Sequence, residues 1–192
     1  MRTAIDRIVN DHQHMARLLD YLDFQMAGYR EGSGRRPQLK VIVDALDYLH
    51  HYPDVFHHPL ESGLMARLKP RLAKRGHRAK FELIEAQHQQ MITMTAKLLA
   101  GFNAVASGQV MPINLLLANY TLYSSLQREH MALENQFLIP ALEDLLTPED
   151  LLAVDDDLKQ MPDPLFGAHL WTAYERLYRH VLEWEGSVEP AV

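Results

Sequence analysis

Residues 116–137 read LLANYTLYSSLQREHMALENQF, and the positions of Leu116, Asn119, Tyr123, Leu126, His130, Leu133 and Phe137 decide the fold class. Their intervals alternate between three and four residues. That is the period of one face of an α-helix, not the every-second-residue pattern of a strand. His130 stands in this stripe where an apolar residue belongs. Glu134 follows one turn later, so an imidazole and a carboxylate share a face.

The same His-x-x-x-Glu spacing recurs at His57 and Glu61, and the same stripe recurs in other segments. The first carries Ile5, Ile8, His12, Met15, Leu19, Leu22 and Met26. The second carries Leu39, Ile42, Leu46 and Leu49, then resumes at His57, Leu60, Leu64 and Leu68. The third carries Phe81, Ile84, His88, Met91, Thr95, Leu98 and Phe102. A later one carries Leu170, Tyr174, Leu177, Val181 and Trp184. Breakers separate them: Glu31 to Pro37, Lys69 to Gly76, Ser107 to Pro112 and Met161 to Pro164. Thr147-Pro148 reads as the cap and first residue of a short helix reaching toward Leu158. The pattern predicts an all-α, up-down-up-down four-helix bundle over residues 1–145. A C-terminal helical extension, 146–192, then covers one flank or makes a homodimer contact. Pro53 and Pro59 predict a kink or break near Tyr52-Pro53-Asp54, because interior proline removes a backbone donor. This makes His57/Glu61 the less secure pair, while His130/Glu134 is expected in an unbroken helix.

Composition narrows the chemistry. The 192-residue chain is long enough for one sizeable core, with 47% apolar and 23% charged residues. A net charge of −6 gives no electrostatic footprint for nucleic acid or anionic membrane. The absence of cysteine excludes disulfides, zinc–thiolate sites and a thiol nucleophile. No apolar run is long enough to span a bilayer, and the start lacks a secretory apolar region, so the expected location is cytoplasmic. Eleven histidines form the one compositional excess.

Position matters more than number. His12, His57, His88 and His130 each replace an apolar residue on a core stripe, one on each helix. An unpaired imidazole or carboxylate in a core costs on the order of a few kcal/mol. A metal shared by all four helices compensates them together, and nitrogen with carboxylate oxygen suits iron, manganese or zinc. Glu61 and Glu134 can bridge two ions or cap one each. His50 lies seven residues before His57 and is the reserve ligand. Tyr123, two turns before His130, and Glu85, one turn before His88, are candidates to contact a ligand from outside. His14 is read as surface, His51 and His58 as exposed or as contacts behind better-placed ligands, His77 as a loop residue, and His169 and His180 as structural.

At this point Asp11-His12, Tyr52-Pro53-Asp54, His57-His58-Pro59-Leu-Glu61, His88 and His130-Met-Ala-Leu-Glu134 resemble the bacterial hemerythrin-like, HHE cation-binding proteins. The resemblance implies a four-helix bundle around a di-iron centre with oxo or carboxylate bridges. It implies His12, His57, Glu61, His88, His130 and Glu134 as ligands. Members of the family bind dioxygen, sense oxygen or redox state, or act in nitric oxide responses and iron–sulfur cluster repair. The chain departs from its oxygen carriers in two places. Ile92 stands where they have a second histidine on the third helix, and His-x-x-x-Glu replaces His-x-x-x-x-Asp on the fourth. It also lacks a histidine between His14 and His50, where the repair proteins have one. Six ligands are one fewer than the usual seven. Either His50 or another side chain supplies the last, or one iron keeps extra open positions.

Two functions remain open from sequence. One is a non-haem di-iron protein binding dioxygen, nitric oxide or peroxide for sensing, storage or stress protection. The other is a metal-stabilised structural or interaction module, with zinc as one option. No nucleophilic triad or substrate pocket points to a turnover enzyme.

Overall fold

The structure is a computed structural model that describes residues 3–30, 33–72, 78–153 and 162–187. Its main elements are α1 (Thr3–Ala27), α2 (Leu39–His51), α3 (His58–Leu72), α4 (Arg78–Ala106), α5 (Ile113–Leu133), α6 (Ile139–Leu145) and α7 (Glu175–Ser187). A single π-helical turn, Pro53–His57, joins α2 to α3, and another, Glu134–Leu138, joins α5 to α6. The helices therefore form four long rods: α1, α2–α3, α4 and α5–α6. No strand occurs among the described residues.

Neighbouring rods run antiparallel, as the stripes predict. Along α1, His12 meets Asn135 while Leu19 and Asp23 accept hydrogen bonds from Tyr120. Between α4 and α5, His130 meets Gln87 at one level, and Gly101 lies against Leu116 further along. One position departs from the expected stripe: Asn119 is exposed and Tyr120 is buried in its place.

The core is split into two apolar parts. One holds Met15, Leu22, Leu46, Leu49, Met91 and Phe102. The other holds Ile5, Ile8, Leu64, Leu68, Phe81, Ile84 and Leu142. Each rod passes from one part to the other through a short buried polar stretch. On α1 this is Asp11 and His12, and on α4 it is His88.

The kink or break predicted near Pro53 takes the form of a π turn between the end of α2 at His51 and the start of α3 at His58. Pro53 has no N–H to donate, and the chain widens by one residue instead of stopping. The N–H of His57 reaches the Tyr52 carbonyl at 3.3 Å and that of His58 reaches the Pro53 carbonyl, which are i→i−5 bonds. The helix expected to run unbroken through His130 and Glu134 carries the same device. There the N–H of Ile139 bonds the Glu134 carbonyl, just ahead of Pro140. The expected loop from Lys69 to Gly76 also begins later, since α3 runs through Pro70 to Leu72; residues 73–77 lie outside the described residues. Thr147 caps as expected. The Asp150 N–H donates to its hydroxyl at 3.3 Å, the Thr147 N–H donates to Asp150 at 2.9 Å, and residues 148–153 are helical. The rest of that helix, to Leu158, falls outside the described residues.

The C-terminal segment packs on α1 and α2. Leu165, Tyr174, Leu177 and Val181 are buried there, and Trp184 lies against Tyr21 and Phe24. Arg17 pairs with Glu185, and Arg176 with Asp44. The anchor is Asp163. Its Oδ1 accepts the N–H groups of Leu165 (2.9 Å) and Phe166 (3.0 Å), and its Oδ2 lies 3.0 Å from His14 Nδ1. His14 was expected at the surface, but the tail covers it and Phe166 packs on its ring. Burial opposes ionisation of Asp163, yet His14 and the two backbone donors outweigh it and hold the carboxyl below its ordinary value. A depressed carboxyl stabilises the docked tail above the ordinary aspartate pKa of about 4 and loses that contribution as pH falls through its own lower value. Trp184 fluorescence is expected to report tail release on acidification in the parent protein. In Asp163→Asn that acid step is expected to vanish, with the tail less protected at neutral pH.

Candidate metal centre

The polar layer between the two apolar parts draws one or two side chains from each rod. His12 comes from α1, His57 from the end of the first π turn, Glu61 from α3, His88 from α4, His130 from α5, and Glu134 from the start of the second π turn. His57, Glu61, His130 and Glu134 are 0% exposed, His88 is 1% and His12 4%. All six residues predicted from sequence therefore meet in one buried place.

Their facing atoms are close. His12 Nε2 lies 3.5 Å from Glu61 Oε1 and 3.2 Å from Glu134 Oε2. His57 Nε2 is 3.5 Å from Glu61 Oε2. His88 Nε2 is 3.3 Å from Glu61 Oε2 and 3.4 Å from Glu134 Oε1. His130 Nε2 is 3.0 Å from Glu134 Oε1. Yet none of these pairs meets hydrogen-bond geometry, and among the described residues all eight atoms are buried and unpartnered. Distance without alignment is what donors converging on a common point produce. A buried polar atom left unsatisfied costs about 1–3 kcal/mol. Eight together would rival the roughly 5–15 kcal/mol net stability of a domain, so something must compensate them.

The opposite edge of each imidazole is held. His12 Nδ1 donates to Asn135 Oδ1 at 2.9 Å, and His57 Nδ1 to Asp11 Oδ2 at 3.2 Å. His130 Nδ1 donates to Gln87 Oε1 at 3.1 Å, and His88 Nδ1 to Ser62 Oγ at 3.4 Å. Binding the proton at Nδ1 leaves the Nε2 lone pair for the centre, the tautomer a metal ligand requires. Electrostatics agree with a site built for positive charge. Burial works against protonated His12, but Glu134 and Glu61 outweigh it and raise its pKa to about 10. The same balance raises His88 to about 9. Burial likewise opposes ionised Glu61 and Glu134, yet the surrounding imidazoles hold both below the ordinary carboxylate range. A metal cation can take the place of those protons.

The donors fall into overlapping groups able to hold an ion: His12, His57 and Glu61; Glu61, His88, His130 and Glu134; and His58, His88 and His130. The chain also matches the family model of the hemerythrin HHE cation-binding domain over residues 3–142. It belongs to that family. No curated protein and no solved structure gives a significant match.

Within the hemerythrin domain, the residues named as outer candidates divide. Glu85 reaches His88 indirectly, accepting a hydrogen bond from Ser62 Oγ at 3.1 Å. Tyr123 is buried, and burial with the nearby Asp54 charge raises its pKa. His50 does not join the grouped donors; its Nδ1 faces Asp54 Oδ2 at 3.6 Å from the outer side. The physical reason is the π turn. The extra residue rotates everything after it by about 100°, so His50 no longer shares a stripe with His57. The same rotation brings in His58: of the two alternatives for it, exposed or behind a ligand, exposure is excluded, since it is 1% exposed and stacked on His88 at 4.5 Å.

Sequence reading also passed over the residues that hold the imidazoles. Asp11 accepts from His57, Arg7 and Tyr52 at 3.0–3.2 Å. Only its position beside His12 hinted at this. Asn135 and Gln87 each follow or precede a core residue by one place, where periodicity predicts nothing. The family's cation binding and the Asp11–His57 contact together predict that Asp11→Ala weakens metal binding by roughly 10–100-fold, measured by competition with a chelator. Asp11→Asn, which keeps an acceptor, is expected to lose less.

Proposed function

We propose that this chain is a non-haem di-iron protein that binds dioxygen, nitric oxide or peroxide for sensing, storage or stress protection. The observation that carries the reading is the convergence of four inward Nε2 atoms and two carboxylates, unpartnered among the described residues and drawn from all four rods. His12 and His57 would hold one ion and His88 and His130 the other, with Glu61 and Glu134 shared between them. Both carboxylates contact imidazoles of both sets, which supports a bridging role. The nitrogen and oxygen donor set, without sulfur, fits iron or manganese as well as zinc. When bound, iron supplies reversible redox change and an open position for a small ligand.

The chain's own residues do the rest. Asp11, Asn135, Ser62 and Gln87 fix the imidazole tautomers. The two apolar parts of the core screen the layer from bulk water, which favours a small neutral ligand over an ionic one. No helix among the described residues is long and apolar enough to cross a membrane.

Protein purified with and without air and analysed for metal is expected to hold two iron ions per chain. Its near-ultraviolet and visible absorption should change on exposure to dioxygen or nitric oxide. A single redox-inert ion, with a spectrum indifferent to both gases, contradicts the proposal and favours a closed structural site. His130→Ala and Glu134→Ala are each expected to release metal and lower the melting temperature, because binding and folding are coupled. Two tightly held ions in both variants would count against the assignment.

A further inference from the structure

We infer that His58 is the seventh metal ligand, completing the ion held by His88 and His130, and that Asp54 is the residue that positions it. The inference rests on the di-iron reading above and deepens it. Six side chains give each ion two imidazoles and a share of both carboxylates, one ligand short of the seven usual in the family. Ile92 stands one turn after His88, where an imidazole would supply the seventh ligand, and its side chain carries no donor.

His58 fills that need from another rod. It is 1% exposed, stacks on His88 with ring centroids 4.5 Å apart, and meets the His130 ring at 5.7 Å and 90°. It forms a group able to hold an ion with those two histidines. A histidine that is merely part of a core has its nitrogens satisfied. Both nitrogens of His58 are buried and unpartnered among the described residues.

The orientation follows the rule of the other four. Each of them turns Nδ1 outward to a polar side chain and Nε2 inward. His58 Nδ1 faces Asp54 Oδ1 at 3.5 Å, which leaves Nε2 as its inward atom. Asp54 is itself buried, and with His50 on the side of Oδ2 its Oδ1 is the oxygen placed to take up the His58 N–H. Asp54 lies one turn before His58, inside the π turn.

That turn explains how adjacent residues serve different ions. In a regular α-helix, neighbours diverge by about 100°, so His57 and His58 would not both face one layer. The π turn ends at His57 and α3 begins at His58. At that junction His57 faces Glu61 with His12, while His58 faces His88 and His130. One sequence step thus separates the two metal positions.

The test is metal content and affinity. Wild-type protein and the variants His58→Ala, Asp54→Ala and Asp54→Asn are dialysed against ferrous iron or zinc without air and analysed. His58→Ala is expected to keep one tightly held ion and lose the other. Asp54→Ala is expected to weaken the same ion by roughly 10–100-fold, and Asp54→Asn, which keeps an acceptor for His58 Nδ1, to restore most of the loss. Rescue by Asn separates positioning from simple packing. Nitrogen-labelled wild-type protein loaded with spin-active cadmium gives a readout free of any folding defect, since scalar coupling between cadmium and His58 Nε2 is expected. Two ions at unchanged affinity in His58→Ala, or no coupling to His58 while His88 and His130 couple, overturns the inference and leaves the di-iron reading standing. No bound ion in the wild type overturns both.

Discussion

Two carboxylates buried at the same level of a helical bundle are the constraint on which the rest depends. Glu61 and Glu134 are fully inaccessible, held below the ordinary carboxylate range, and touched by imidazoles from every rod. Apolar packing cannot satisfy them, and neither side chain can reach water. Everything at that level answers this condition. The apolar core divides into two parts to leave room for the layer. Four histidines turn one nitrogen inward, and Asp11, Asn135, Ser62 and Gln87 hold them in that orientation. The polar layer, the bundle and the proposed chemistry are aspects of one electrostatic problem.

The two π turns carry the second part of the solution. Each sits where a carboxylate or imidazole of the layer must be presented, at His57 and at Glu134. A π turn inside an α-helix costs local hydrogen-bond quality, and such turns gather at functional sites. Prolines flank both, Pro53 and Pro59 at one and Pro140 at the other. A continuous α-helix cannot turn His57 and Glu61 into the layer while taking His50 off their stripe. An inserted residue can.

What the sequence revealed follows from this. The four-rod bundle was legible because periodicity survives in long segments, and His12, His88 and His130 were legible because each replaces an apolar residue in register. Glu61 and Glu134 were found through spacing alone, and His57 through both its spacing to Glu61 and the stripe that resumes after Pro53. The positions of His58 and His50 were not legible for one reason: the stripe was extended through residues 53–57 at 3.6 residues per turn, whereas the chain takes a wider turn there. Asn135 and Gln87 were invisible because a residue that holds an imidazole lies beside the stripe and follows no period. His14 looked exposed on α1 because its cover, Asp163 and Phe166, comes from about 150 residues later in the chain. Pairing of that kind is a tertiary fact that no local pattern encodes.

The central claim is that the polar layer is a two-ion site rather than a network of ion pairs. Anomalous scattering from crystals of the metal-loaded protein tests it most directly. The account predicts two peaks inside the bundle, one beside His12 and His57 and one beside His88 and His130, with Glu61 and Glu134 between them. A layer without anomalous density, its imidazoles and carboxylates paired directly with one another, would contradict it.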